Sequence, residues 1–196
     1  DTHVSSAFER SVATLRAAGA IIVEADAPSL DAAHSLFEGG GFAGAESAQI
    51  HRPILAAHRA EYDPNVAARI EAGEALKGAD YVQLGLDRTR IIGEAKALLA
   101  PYDAMILPTT ATVAPTVEAV SASAEAYKEW NLLMLRNTGL INMLDGCALS
   151  LPCHAKGEPP VGLMVAGMGG ADTRVLAAGL AIEAALEDAL GPVGDQ

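Results

Sequence analysis

Gly39, Gly41 and Gly44 stand at the G-x-G-x-x-G spacing with which a strand-to-helix turn brings its backbone up to a dinucleotide pyrophosphate. That chemistry needs a strand before the glycines. His34 to Glu38 reads as helix instead, so the cluster is assigned to a helix break or a close packing contact. A second run, Gly167, Gly169 and Gly170, has the better context, because an apolar strand precedes it and a helix opening near Asp172 follows. Its amides could hold an anion at the helix N-terminus, yet Asp172 already places a negative charge there, and a plain strand-to-helix turn is the simpler assignment. His51 and His58 share a helix face, but no Cys, Asp or Glu completes a metal-ligand spacing with them, and both are expected at the surface.

Hydrolysis by a side chain asks for an activated nucleophile and a base. The chain has no G-x-S-x-G elbow and no Ser-x-x-Lys, although a triad assembled in space leaves no such mark. A catalytic lysine must shed water to lose its proton near neutral pH, so it belongs in an apolar, glycine-lined setting. Lys77, Lys96, Lys128 and Lys156 all lie in helical, turn or polar surroundings that suit a solvated ammonium. Cys147 and Cys153 are too far apart along an apparent strand to bridge, and two thiols alone make no zinc site, so they read as small core residues. No cofactor and no metal is expected.

The elements that must position these groups follow from periodicity. Val4, Phe8, Val12 and Leu15 repeat at helical spacing up to Gly19, and Ile21 to Val23 then reads as a strand. No strand precedes that helix, so the chain reads as though it opens inside an α/β unit. Leu30 to about Ala60 is helical with a glycine interruption, another helix opens at Asp63-Pro64, and a long amphipathic helix runs from Asp80 to just before Pro101. Asp103 to Leu107 is a short apolar strand, Thr109 to Val120 an extended loop, and Ser123 to Leu135 a helix. Cys147 to Leu151 and Val161 to Ala166 read as buried strands that could be hairpin neighbours, and a final helix runs through Leu190. Helices interleaved with continuously apolar strands imply an α/β fold whose sheet is covered on both faces.

With 51% hydrophobic and 19% charged residues spread over 196 positions, the chain is expected to fold throughout as one domain, residues 1–196. Its 25 acidic against 13 basic residues give a net charge of −12 with no basic stripe, which disfavours nucleic acid. No apolar run spans a bilayer and no signal sequence opens the chain, so no membrane partner and a cytoplasmic setting are expected.

The stretch Tyr102-Asp103-Ala104-Met105-Ile106-Leu107-Pro108-Thr109-Thr110, followed by Ala114-Pro115, resembles the D-a-l-l-x-P-T-x-P segment of amidase-signature enzymes. Asn137-Thr138-Gly139-Leu140-Ile141-Asn142 and Cys147-Ala148-Leu149-Ser150-Leu151-Pro152 are similar to the family's T-x-x-x-N and a-i-s-l-P blocks. Pro160-Val161-Gly162-Leu163-Met164-Val165 resembles its l-P-v-G-l-q-l-v strand. Weaker likenesses at Tyr62, Pro64, Arg69, Gly73, Tyr81 and Arg90 keep the family order.

The resemblance implies a three-layer α/β/α fold with a mixed sheet and hydrolysis of a carbon–nitrogen bond by two serines and a lysine. Those catalytic groups belong to a Gly/Ser-rich signature upstream of the part matched, so no catalytic residue is carried over and the chain is expected to be the C-terminal part of an amidase, inactive alone. The substrate-binding residues implied are Arg136, Asn137, Thr138 and Asn142, with Thr138 equally suited to capping a helix and Asn142 to holding a turn. The implied partners are a small-molecule amide and either the protein's own N-terminal part or further copies of this chain, through exposed strand edges. A non-catalytic amide- or carboxylate-binding module is the alternative from another class. Part of the glutamine-hydrolysing component of a glutamine-dependent tRNA amidotransferase is less favoured, since Leu135-Arg136-Asn137 lacks the acidic residue such members carry before the threonine.

Overall fold

The computed structural model describes residues 1–38 and 41–190. Gly39 and Gly40, the head of the glycine cluster, lie outside the described residues. The elements run α1 (Thr2–Ala17), α2 (Pro28–Glu38), α3 (Gly41–His58), α4 (Pro64–Ala72), α5 (Gly78–Leu99), β1 (Met105–Pro108), α6 (Val117–Ser121), α7 (Ala124–Met143), β2 (Cys147–Pro152), β3 (Gly162–Gly167) and α8 (Asp172–Leu190). Local chemistry sets several of the starts. Asp63 accepts from the N–H groups of Asn65 and Val66 with Pro64 in the first turn of α4, and the Ser123 hydroxyl accepts from Ala126 N–H to open α7.

The three strands form one antiparallel sheet in the order β1-β3-β2, so β3 is central. Leu163, Met164, Val165 and Ala166 of β3 are all buried, which is why this strand reads as an unbroken apolar run. Alternation sends Leu163 and Val165 to one face, where α1 and α8 cover them through Val4, Ala7, Val175 and Leu186. Met164 and Ala166 point to the other face, against Leu140 and Ile141 of α7, with α2 and α5 packed behind. Helices therefore lie on both sides of the sheet, the three-layer α/β arrangement expected. The pairing among the described strands is antiparallel throughout, and the expected β2–β3 hairpin is present.

Two sequence readings change. Ile21–Val23 has no regular secondary structure and forms no strand among the described residues; Ile22 packs on the core while Ile21 stays 91% exposed. The helix expected to stop at Leu135 continues to Met143, so Arg136, Asn137, Thr138 and Asn142 are all helical. Smaller shifts are that α5 begins at Gly78 rather than Asp80 and that a short helix, α6, interrupts the loop after Thr109.

The C-terminus of α7 is held from α5. Arg88 donates from Nε to Met143 O (2.9 Å) and from Nη2 to Asn142 O (3.1 Å), with its guanidinium 5.6 Å from the Phe42 ring centre. A cation on the last carbonyls of a helix is favourable through the dipole and through direct hydrogen bonds. Arg88→Ala is expected to cost about 1–2 kcal/mol, with Arg88→Lys recovering part of it; urea unfolding of the three proteins checks this.

Candidate functional site

The four residues implied as substrate-binding leave α7 in different directions, because each step along a helix turns by about 100°. Asn137 faces the sheet: its Nδ2 donates to Pro108 O at 2.7 Å, fixing the end of β1. Thr138 and Asn142, at i and i+4, share one flank with Leu135, and the Thr138 hydroxyl turns back to Leu135 O at 3.2 Å. Arg136 heads the row that continues through Gly139, Leu140 and Met143 on the other flank. That row packs on α2 and the start of α3: a Cβ on Gly139 would lie 2.5 Å from the Phe37 ring, and Met143 touches Gly41. The exposed Arg136 thus does not converge with Thr138 and Asn142, whereas Asn137 connects α7 to the sheet.

Where Asn137 meets β1, three strands bring polar groups together. Thr109 N–H donates to Gly162 O at 2.8 Å, extending the β1–β3 ladder by one residue. Thr109 Oγ1 and Ser150 Oγ lie 2.6 Å apart, bridging the two outer strands across β3. Between them sits Gly162, where an added Cβ would fall 2.4 Å from Ser150 Oγ and 2.7 Å from Thr109 Oγ1. This is the face that α7 covers over β1 and β3 but leaves open over β2, where Ala148, Ser150 and Pro152 are exposed. The sequence motifs contained Thr109, Ser150 and Gly162, yet only the strand register makes them neighbours. The one available signal was Ser150 as the single hydroxyl in an apolar strand.

Other candidates settle as structural groups. His51 Nδ1 pairs with Tyr62 Oη at 2.7 Å and His58 with Glu61 at 2.8 Å. Among the described residues no three His, Cys, Asp or Glu side chains cluster as a metal site. All four lysines are exposed. Both cysteines are free; burial pushes the Cys153 thiol up, while the nearby Ser11 hydroxyl partly offsets it. The Gly167–Gly170 segment is a strand-to-helix turn in which Gly170 takes φ +82° and Gly169 presses on Asp145 O. A shallow cavity of about 500 Å³ beside it, lined by Lys96, Met168, Thr173 and Arg174 among others, lies at the far end of β3 from the hydroxyl pair.

The family model described as Amidase matches residues 1–176. The chain belongs to the amidase family. In sequence it is 29% identical over 196 residues to 2-amino-5-chloromuconic acid deaminase of Comamonas testosteroni, covering 94% of this chain and 40% of that protein. A solved amidase aligns with a TM-score of 0.78 at 28% identity, over 97% of this chain and 42% of its own. The urea amidolyase of K. lactis shares the fold, with a TM-score of 0.79 at 24% identity over the whole of this chain and 12% of that enzyme. The chain thus spans well under half the length of these relatives. No described helix is long and apolar enough to cross a membrane.

Proposed function

We propose that this chain is the C-terminal part, residues 1–196, of an amidase that hydrolyses a carbon–nitrogen bond of a small carboxamide, and that the attacking serine and its proton-relay partners lie in a segment upstream of it. The observation that carries the reading is the family match over residues 1–176 in a chain corresponding to about two fifths of its relatives. The side chains support it. A lysine can serve as the base in amide hydrolysis only when desolvation lets it lose its proton near neutral pH, while Lys77, Lys96, Lys128 and Lys156 are all exposed. What the chain contributes is a sheet, the α7 wall bearing Thr138 and Asn142, and the open face over β2. In this reading the exposed strand edges receive the upstream part of the fold, and the face over β2 stays open to a small ligand.

The test is to assay simple carboxamides with the purified 196-residue protein and with a longer protein in which a Gly/Ser-rich segment and an upstream lysine precede it. The short form is expected to release no ammonia above background and the longer form to turn over. Turnover by the short form that disappears on replacing one of its own side chains would sink the proposal.

A further inference from the structure

We propose that the Thr109–Ser150 hydroxyl pair, seated over Gly162 on the open face of the sheet, is a subsite for the carboxamide group of a small amide. This rests on the amide-hydrolysis reading and adds to it the atoms that hold the substrate. At 2.6 Å one hydroxyl donates to the other, which leaves the pair with one unused O–H and free oxygen lone pairs side by side. A primary carboxamide is the complement of that arrangement, since its planar head offers a carbonyl acceptor and an N–H donor together. A carboxylate of the same shape offers acceptors only, so it leaves half of the pair unanswered.

The surroundings favour a ligand over a mere clasp between strands. On this face Met105, Leu107, Met164 and Ala166 are apolar and packed under α7, and the row turns polar only at Thr109 and Ser150. Ser150 is exposed, with Ala148 and Pro152 exposed on either side along the same face of β2. A hydroxyl bond open to water adds little stability, so holding a glycine beneath it is poorly explained by folding alone. Gly162 keeps the floor at backbone height, because any Cβ there would overlap both hydroxyl oxygens. The pair is also held in place: Thr109 N–H is tied to Gly162 O at 2.8 Å and the Pro108 carbonyl to Asn137 Nδ2 at 2.7 Å. Donors and acceptors fixed before binding lose less freedom when the ligand arrives.

The experiment is an amide-detected NMR titration of the 196-residue chain with acetamide and, separately, with acetate. Acetamide is expected to move the Thr109, Ser150 and Gly162 resonances and the Asn137 side-chain amide along a saturating curve, and acetate to leave them in place. Ser150→Ala and Thr109→Val should each weaken the acetamide response about three- to tenfold, the range for one lost hydrogen bond. Gly162→Ala, whose Cβ would occupy the site, should abolish it while the spectrum elsewhere stays native. An equal response to acetate, an unchanged curve in Ser150→Ala, or no movement at these resonances up to the highest acetamide concentration overturns the subsite. The readout is binding, so it separates from catalysis. A chain that binds acetamide here keeps the subsite even if no longer form hydrolyses amides. A longer form that turns over amides with KM unchanged by Ser150→Ala keeps the hydrolysis and loses the subsite.

Discussion

Replacing Gly73 by alanine is expected to destabilise the protein by about 3 kcal/mol, at the upper end of the range for inserting one methyl into a packed contact. Gly73 closes α4 at φ −62°, a conformation any residue adopts, so backbone strain is not the issue. The cost is steric. A Cβ at this position would lie 1.9 Å from Gly44 O and 2.3 Å from Gly44 C, both main-chain atoms of α3. No rotamer change relieves such an overlap. The helices must separate, and with them the small core of Ala48, Leu55, Ala67 and Ile70 and the Arg52–Glu74 pair at 3.0 Å. Gly85→Ala is the control, because nothing lies within 4 Å of its Cβ position in the interior of α5. That change should stabilise by about 0.5–1 kcal/mol through helix propensity. Urea midpoints of the two variants should therefore move in opposite directions, and a Gly73→Ala midpoint at the wild-type value would refute the contact.

Part of this fold was legible in the sequence and part was not, and the division follows what each segment packs against. Periodicity located α1 and α5, because each carries an apolar stripe that one buried face dictates, and β3 showed as the unbroken apolar run of a strand buried on both faces. The same periodicity ended α7 eight residues early. Asn137-Thr138-Gly139 has the composition of a helix stop, but Gly139 is there because the Phe37 ring occupies the space of a side chain, and Thr138 satisfies its hydroxyl on the preceding turn. Packing between distant segments overrode local preference. Ile21–Val23 shows the reverse case: its β-branched residues favour a strand, yet a strand also needs a neighbour to pair with, and among the described residues none pairs with this segment. The candidate residues divide in the same way. Asn137 stands out by its motif, and its side-chain amide holds Pro108 O, whereas Thr109, Ser150 and Gly162 become neighbours only through the register that brings three strands to one point.

That register depends on β3, and truncating its best-buried leucine should show by how much. Leu163 has no exposed surface and packs among Val4, Leu15, Val161 and Leu186 between α1 and α8. It is paired on one side with Pro108 and on the other with Leu151. Neighbours on every side leave the site little room to collapse, so Leu163→Ala is expected to cost about 3–4 kcal/mol, the lost transfer energy plus that of a retained cavity. Leu176 and Leu180 of α8 are 58% and 68% exposed, and the same truncation there should change stability by less than about 0.5 kcal/mol. The consequence reaches the site because Thr109 N–H is bonded to Gly162, the residue before Leu163. If β3 is what aligns the two hydroxyls, exchange of the Thr109 amide hydrogen should quicken in Leu163→Ala by the full factor given by the global loss of stability, which is tenfold for about 1.4 kcal/mol. Thr109 exchange that stays slow while the urea midpoint falls would mean that the end of β1 is held mainly by Asn137 of α7, and the organising role would pass from the central strand to that helix.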